Sequence, residues 1–191
     1  MTGLKQYLYS LSPIKEETWL KVQPLFREAS LKKGEYFIEE GQFATEFAFL
    51  KKGVIRAFYR SRSGMEYIKY FFTPCSIVGG YTSLITGQPN QIMQQALTDC
   101  ELLVANYGAF TGLYDSCPDL ERLGRRYAEN YFVEKERKEL EIILHEAEER
   151  YLIFQKQYPQ LEQQIPQYYI AAYLGISPTQ LSRVRKKIAR P

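Results

Sequence analysis

Histidine occurs once in the 191 residues, as His145, and cysteine three times, as Cys75, Cys100 and Cys117. Barrel metalloenzymes need a constellation of histidines, usually with a carboxylate, and one imidazole cannot supply it. An iron–sulfur cluster needs four thiolates and a zinc site needs clustered ones, so the three separated cysteines fit neither. They read as free, mostly buried thiols of a reducing cytoplasm. A haem sensor lacks axial ligands for the same reason. HExxH, the phosphate-binding P-loop and GxSxG are all missing. Glu39, Glu40, Glu46 and Glu66 are scattered among strands and turns, which suits solvated rather than catalytic carboxylates. The chain is therefore read as no enzyme and as needing no metal. No apolar run approaches membrane-spanning length and no signal-peptide pattern opens the sequence, so the expectation is a cytoplasmic protein with no membrane partner.

A second absence is sharper. From Ile165 to Pro191 there is no acidic residue, while Arg183, Arg185, Lys186, Lys187 and Arg190 are all basic. The whole chain carries a net charge of +3, so these five cations leave the rest slightly acidic. Basicity is thus local, as in a small nucleic-acid-binding module on a neutral body. The segment reads IPQYYIAAYLGISPTQLSRVRKKIARP. A short apolar-periodic run with Ile170, Ala171 and Leu174 stops at Gly175, and a second run carries Leu181, Val184 and Ile188 at helical spacing. Glycine suits the left-handed residue of a tight turn between helices. Ser177 can cap the second helix, and Pro178 fits its first turn. This pattern predicts a helix-turn-helix. An antiparallel helical hairpin with a solvated face has the same spacing. A face of one sign, however, suits phosphate better than water.

The remainder divides by period. The first thirty residues read as a helical lead-in, with Leu8, Leu11, Ile14, Trp19, Val22 and Phe26 as its apolar side chains. From about Ser30 to Phe110 the signal becomes short strands punctuated by glycine. Residues 36–38, 46–50, 54–60, 66–72 and 102–104 are strand-like, with Ser63-Gly64 as a hairpin tip. Many short strands with glycine turns predict a β-roll or jelly-roll barrel. From Pro118 to about Ile143 the period is helical, with Leu120, Leu123, Tyr127 and Tyr131 as a stripe. A helix of roughly 39 Å is too long for so small a barrel to cover, so part of it is expected on a partner helix. A break is expected at Leu144-His145, where His145 would cap a new helix and Glu148 would complete a weak capping box. That helix would stop at Pro159 and pack Ala147, Tyr151 and Phe154 under the helix-turn-helix.

Several stretches resemble the Crp/Fnr family of bacterial transcription regulators. Lys33 to Gly41 (KGEYFIEEG) is similar to that family's second turn and strand, and Phe47 to Arg56 (FAFLKKGVIR) to its next strand–glycine–strand unit. Ile77 to Cys100 resembles the segment that holds cyclic nucleotide. The YLGISPTQLSRVRKK tail resembles the Bacteroidetes branch, in which no β-hairpin wing follows. The implied fold is α+β: an N-terminal β-roll (a double-stranded β-helix of the cyclic-nucleotide-binding type) with flanking helices, a long dimerisation helix, and an all-α C-terminal helix-turn-helix. The implied division is a sensor domain over 1–117, the dimerisation helix over 118–144 and the DNA-binding domain over 145–191. Leu120, Leu123, Tyr127 and Tyr131 would form the dimer seam.

The ligand segment departs from the family. Cyclic-nucleotide binders hold the ribose with a glutamate and the cyclic phosphate with an Arg-Ser/Thr-Ala triplet, because a buried anion needs a cation and converging donors. Aligned on Gly87-Gln88 and Ala96, the glutamate position falls on Gly80, the arginine on Asn90, and the next pair on Gln91 and Ile92. The long-helix positions that would cap the purine fall on Lys135 and Glu136. Cyclic AMP or GMP in the usual mode is therefore not expected, and no cofactor is assigned. Two readings stay open: a barrel that needs no ligand, and a different small effector meeting Gly79, Gly80, Tyr81, Thr82 and Ser83 together with Asn90, Gln91, Ile92 and Met93.

The resemblance implies a homodimeric transcription regulator on a near-palindromic operator in duplex DNA, with RNA polymerase as a further partner. Its base-reading positions correspond to Pro178, Thr179 and Arg183. Pro178 has no donor, which leaves Thr179, Gln180 and Arg183 as readers. Ser177, Ser182, Arg185, Lys186 and Lys187 are assigned to phosphates. The rival function is a ligand-binding or scaffold module whose helix-turn-helix docks on protein.

Overall fold

The computed structural model describes residues Met1–Ala189; Arg190, counted among the basic residues above, lies outside the described residues. Two short helices, α1 (Thr2–Leu11) and α2 (Glu16–Val22), lead through a single 3-10 turn into eight strands. These are β1 (Arg27–Leu31), β2 (Tyr36–Ile38), β3 (Glu46–Lys52), β4 (Ile55–Arg60), β5 (Glu66–Phe72), β6 (Ser76–Gly79), β7 (Met93–Ala96) and β8 (Cys100–Asn106). Helix α3 (Tyr81–Thr86) stands between β6 and β7, and α4 (Tyr107–Thr111) follows β8. The rest is helical: α5 (Pro118–Leu144), α6 (Ala147–Gln157), α7 (Gln167–Leu174) and α8 (Pro178–Ile188). The chain divides into two compact units, one of Met1–Tyr59 with Tyr70–Asn130, the other of Arg60–Lys69 with the residues from Tyr131 onward.

The strands form two four-stranded sheets, in the orders β1-β8-β3-β6 and β2-β7-β4-β5. Strand β3 is buried on both faces, which is why FAFL is a continuous apolar run and not an alternation. Its Ala48 and Leu50 join Ile55, Val78, Ala96, Cys100, Leu102 and Val104 in one cluster between the sheets. Its Phe47 and Phe49 face the helices, in a second cluster with Leu4, Trp19, Val22, Phe110, Leu120 and Leu123. Phe47 meets Phe26, Tyr107 and Phe110 edge to face, the arrangement that ring quadrupoles favour.

The β-roll with flanking helices and the all-helical C-terminal part agree with the expected fold class. Three strands were not foreseen. β1 lies inside the expected helical lead-in and is a mostly exposed edge strand, so it shows no apolar alternation. β6 has four residues, and β7 (MQQA) carries two glutamines where a β signal needs branched or aromatic side chains. The hairpin tip is as read: Gly64 has φ 83° between β4 and β5, with Ser61 N–H bonded to Met65 O at 2.8 Å.

Two residues of the expected dimer stripe are covered by this chain itself. Leu120 and Leu123 are 0% and 3% exposed and belong to the chain's own helix-facing core. Helical period shows that two residues share a face, but not whose surface covers it. Beyond Asn130 the helix is different, with Phe132 62%, Val133 60%, Leu140 49% and Ile143 76% exposed.

In the second unit α6 packs against both α7 and α8. Tyr151 and Phe154 are buried as expected, while Ala147 is half-buried. Phe154, Tyr158 and Tyr173 form an aromatic triad with ring centroids 5.5–5.7 Å apart. The break after Leu144 is present, but the cap is Glu146 with Glu149, not His145 with Glu148. A carboxylate one residue later can accept the free N–H groups of the first turn, and His145 Nδ1 instead lies 3.2 Å from Glu149 Oε2.

Candidate nucleic-acid interface and barrel site

Helices α7 and α8 are joined by Gly175-Ile176-Ser177. Gly175 has φ 68° and closes α7 in the left-handed conformation, where a side chain would be strained. Ser177 caps α8: its Oγ accepts Gln180 N–H at 3.2 Å, while Gln180 Oε1 accepts Ser177 N–H at 2.9 Å. Pro178 occupies the first turn, where a missing N–H costs nothing. Leu181 (0% exposed) and Val184 (8%) hold the inner face. Thr179, Ser182, Arg183, Lys186 and Lys187 are exposed on the other.

The expected contact residues are not equivalent. Arg183 and Lys186 have no ion-pair or hydrogen-bond partner among the described residues. Arg185 is tied inward, its Nε 3.1 Å from Glu162, which also accepts the Tyr151 hydroxyl at 2.6 Å. Burial, then this bond to Glu162, pushes the Tyr151 hydroxyl up to about 12. Lys187 Nζ lies 2.7 Å from Glu148. Gln180 spends its carbonyl oxygen on the cap, so it lacks the free acceptor–donor pair that bidentate adenine contact requires. Tyr168 is 53% exposed and its ring centroid lies 4.2 Å from that of Tyr169.

The barrel site is assembled by the end of β6, helix α3 and β7. Gly80 precedes α3, and a Cβ on it would lie 3.0 Å from Asn90 Oδ1, 3.2 Å from Ile38 and 3.3 Å from Ala44. The position read as the ribose glutamate's is therefore tightly packed, and a side chain there would have to displace its neighbours by a few tenths of an ångström. Asn90 is 5% exposed, and its amide donates to Glu39 O at 3.1 Å and Ile92 O at 2.8 Å. Ser83 is buried with its Oγ accepting Ala44 N–H at 3.0 Å. Both are committed to holding backbone. Met93 is buried, Ile92 half-buried, and Tyr81, Thr82 and Gln91 are exposed. Gln94, which the sequence reading passed over, is 3% exposed. Its Nε2 donates to Gly79 O at 2.8 Å, and its Oε1 is buried with no hydrogen-bond partner among the described residues. A buried acceptor left unpaired is costly, and the only sequence signal for it was a polar pair within a short strand. Among the described residues no group of three or more His, Cys, Asp or Glu is placed to hold a metal ion. Among the described residues no helix is long and apolar enough to cross a membrane.

Residues 28–117 match the family model of the cyclic nucleotide-binding domain. No curated protein matches the sequence. Among solved structures, FixK2 from Bradyrhizobium japonicum is similar over 85% of this chain and 84% of its own, with 18% identity and a TM-score of 0.75. The c-di-GMP-responsive global regulator CLP of Xanthomonas campestris is similar over 91% of both chains, with 17% identity and a TM-score of 0.69. A transcriptional regulator of the crp/fnr family from Eubacterium rectale is similar over 92% of this chain and 83% of its own, with 15% identity and a TM-score of 0.72. At these identities the likeness is one of fold: the chain has the architecture of Crp/Fnr regulators, built around a segment that matches the cyclic nucleotide-binding domain.

Proposed function

We propose that this protein is a homodimeric regulator of the Crp/Fnr type that binds duplex DNA through α8. Residues 1–117 serve as the sensor domain, 118–144 as the dimerisation helix and 145–191 as the DNA-binding domain. One observation carries the reading. Arg183 and Lys186, one helical turn apart, stand exposed and without partners among the described residues, on a helix whose opposite face, Leu181 and Val184, is buried. Unpaired cations on one face of a surface helix complement phosphate and guanine edges. Thr179 and Arg183 read bases, and Lys186 holds the backbone. The dimer seam lies on the part of α5 beyond Asn130, where Phe132 and Ile143 are open. The sensor is not a cyclic-nucleotide pocket of the usual kind. Asn90 has no charge and its amide is spent, and the acceptor on Gln94 favours a neutral hydrogen-bond donor over an anion.

The test is selection of binding sites from random duplex DNA, followed by titration of variants across a salt series. Arg183→Ala should cost about 1–3 kcal/mol on the selected site and relax preference at one base pair. Lys186→Ala should weaken all sequences alike and flatten the salt dependence by about 0.9 in slope. If neither variant changes binding, α8 does not face DNA and a protein-docking role replaces this one. Calorimetry with cyclic AMP and cyclic GMP should show no micromolar binding.

A further inference from the structure

The cation next to Arg183 on the same face of α8 is not free. Lys187 Nζ reaches 2.7 Å from Glu148, the second residue of α6, across 39 positions of sequence. The pair is open to solvent, with the lysine side chain 70% and the glutamate 39% exposed. Its setting is specific. Glu146 and Glu149, the neighbouring acids, are consumed by the capping box, and Glu149 also meets His145. Glu148 alone among the three reaches across to α8. A helix N-terminus favours a carboxylate in its first turn, which is where Glu148 stands. The contrast with Arg185 and Glu162 is informative. That pair is more enclosed, at 36% and 20% side-chain exposure, and shares its carboxylate with Tyr151 and Gln155. It is a structural tie, whereas Glu148 and Lys187 can part.

We infer that Glu148 stands in for a DNA phosphate in the free protein, holding Lys187 until a duplex displaces it. This inference rests on the DNA-binding reading of α8. It has a thermodynamic signature that a simple surface ion pair lacks. When Lys187 moves to a phosphate, the duplex releases a counterion, but the abandoned Glu148 takes one up. Part of the salt dependence that Lys187 would contribute is thereby cancelled. Glu148 therefore lowers affinity for every duplex, which restrains non-specific binding on bulk DNA.

The experiment titrates the full chain with a labelled mixed-sequence duplex of about 30 base pairs, roughly three helical turns, over a salt series. Glu148→Gln should tighten binding about threefold to tenfold at low salt. It should also steepen the salt slope by up to about 0.9. In the Lys187→Gln background both effects should vanish. In the natural background Lys187→Gln should cost less affinity than Lys186→Gln, because Lys187 begins paired with Glu148. Glu17→Gln, an equal change of net charge in the other unit, is the control. The inference is overturned if Glu148→Gln changes neither affinity nor slope while Lys186→Gln weakens binding; the DNA reading then stands without it. It is also overturned if the gain survives loss of Lys187, or if Glu17→Gln produces the same gain. If none of the variants, Lys186→Gln included, alters DNA binding, the functional reading itself fails and the inference with it.

Discussion

The Lys138 ammonium on α5 lies 4.0 Å from the centroid of the Tyr173 ring on α7. It is held there by Glu141, whose carboxylate is 2.6 Å away and whose side chain is only 8% exposed. Burial lowers the Lys138 pKa, and Glu141 partly restores it. Tyr173 belongs to the aromatic triad with Phe154 and Tyr158. A cation on α5 thus clasps the aromatic centre on which α7 rests.

Lys138→Met should therefore destabilise the protein by about 2 kcal/mol. Beyond the cation–π contact, it leaves Glu141 buried without its cation. Tyr173→Leu should cost about 3 kcal/mol, chiefly in lost core packing. A double-mutant cycle in chemical denaturation should return a coupling of about 1 kcal/mol between the two. Additive losses would mean that the ammonium and the ring do not interact.

Asp119 ties the start of α5 to the start of α2, accepting Lys15 N–H at 2.7 Å and the Thr18 hydroxyl at 3.0 Å. Burial pushes its carboxyl upward, but these bonds and the first-turn N–H groups outweigh burial and hold it below the usual 3.8. A depressed carboxylate contributes stability that is complete above its unfolded pKa and fades as pH falls through the folded one. As pH falls below about 4 the natural protein should therefore lose more stability than Asp119→Asn does. Parallel acid-stability curves would contradict this.

The two halves of α5 should respond differently to charge. Phe132→Glu with Ile143→Glu should yield a folded monomer by light scattering, because those side chains are 62% and 76% exposed in the single chain. Leu123→Glu should instead unfold it, since a carboxylate without a partner in that core costs several kcal/mol, roughly the whole stability margin of a small domain. A folded, dimeric Phe132/Ile143 double variant would move the seam elsewhere.

Ser177→Ala removes the cap of α8 and should cost about 1 kcal/mol in thermal or denaturant unfolding. Gln180→Glu keeps the reciprocal bond to Ser177 N–H and should be nearly neutral. Gly175→Ala should cost about 1–2 kcal/mol for backbone reasons alone, because nothing lies within 4 Å of the added Cβ.

Much of this molecule was legible in the sequence because its signals are local. Gly175, Ser177 and Pro178 specify their turn through their own backbone preferences. Ser63-Gly64 does the same for the hairpin between β4 and β5, and the helical period runs unbroken from Pro118 to the end of α5. Strands β1, β6 and β7 escaped because short, polar or edge strands take their structure from the neighbours they pair with, not from their own side chains.

What the tertiary structure alone decided is which partner each face meets. Leu123 and Phe132 both read as apolar positions of one helix, yet the first is covered by this chain's own core and the second is left open. Asn90 and Gln180 read as polar side chains available to a ligand or a base, yet both spend their amides on backbone. Lys186 and Lys187 are adjacent and chemically identical, but among the described residues only Lys187 has a carboxylate within reach. Sequence spacing sets the direction in which a side chain leaves its helix. Only the packed fold brings up the distant residue that waits there, and that residue decides whether a charge is free to act.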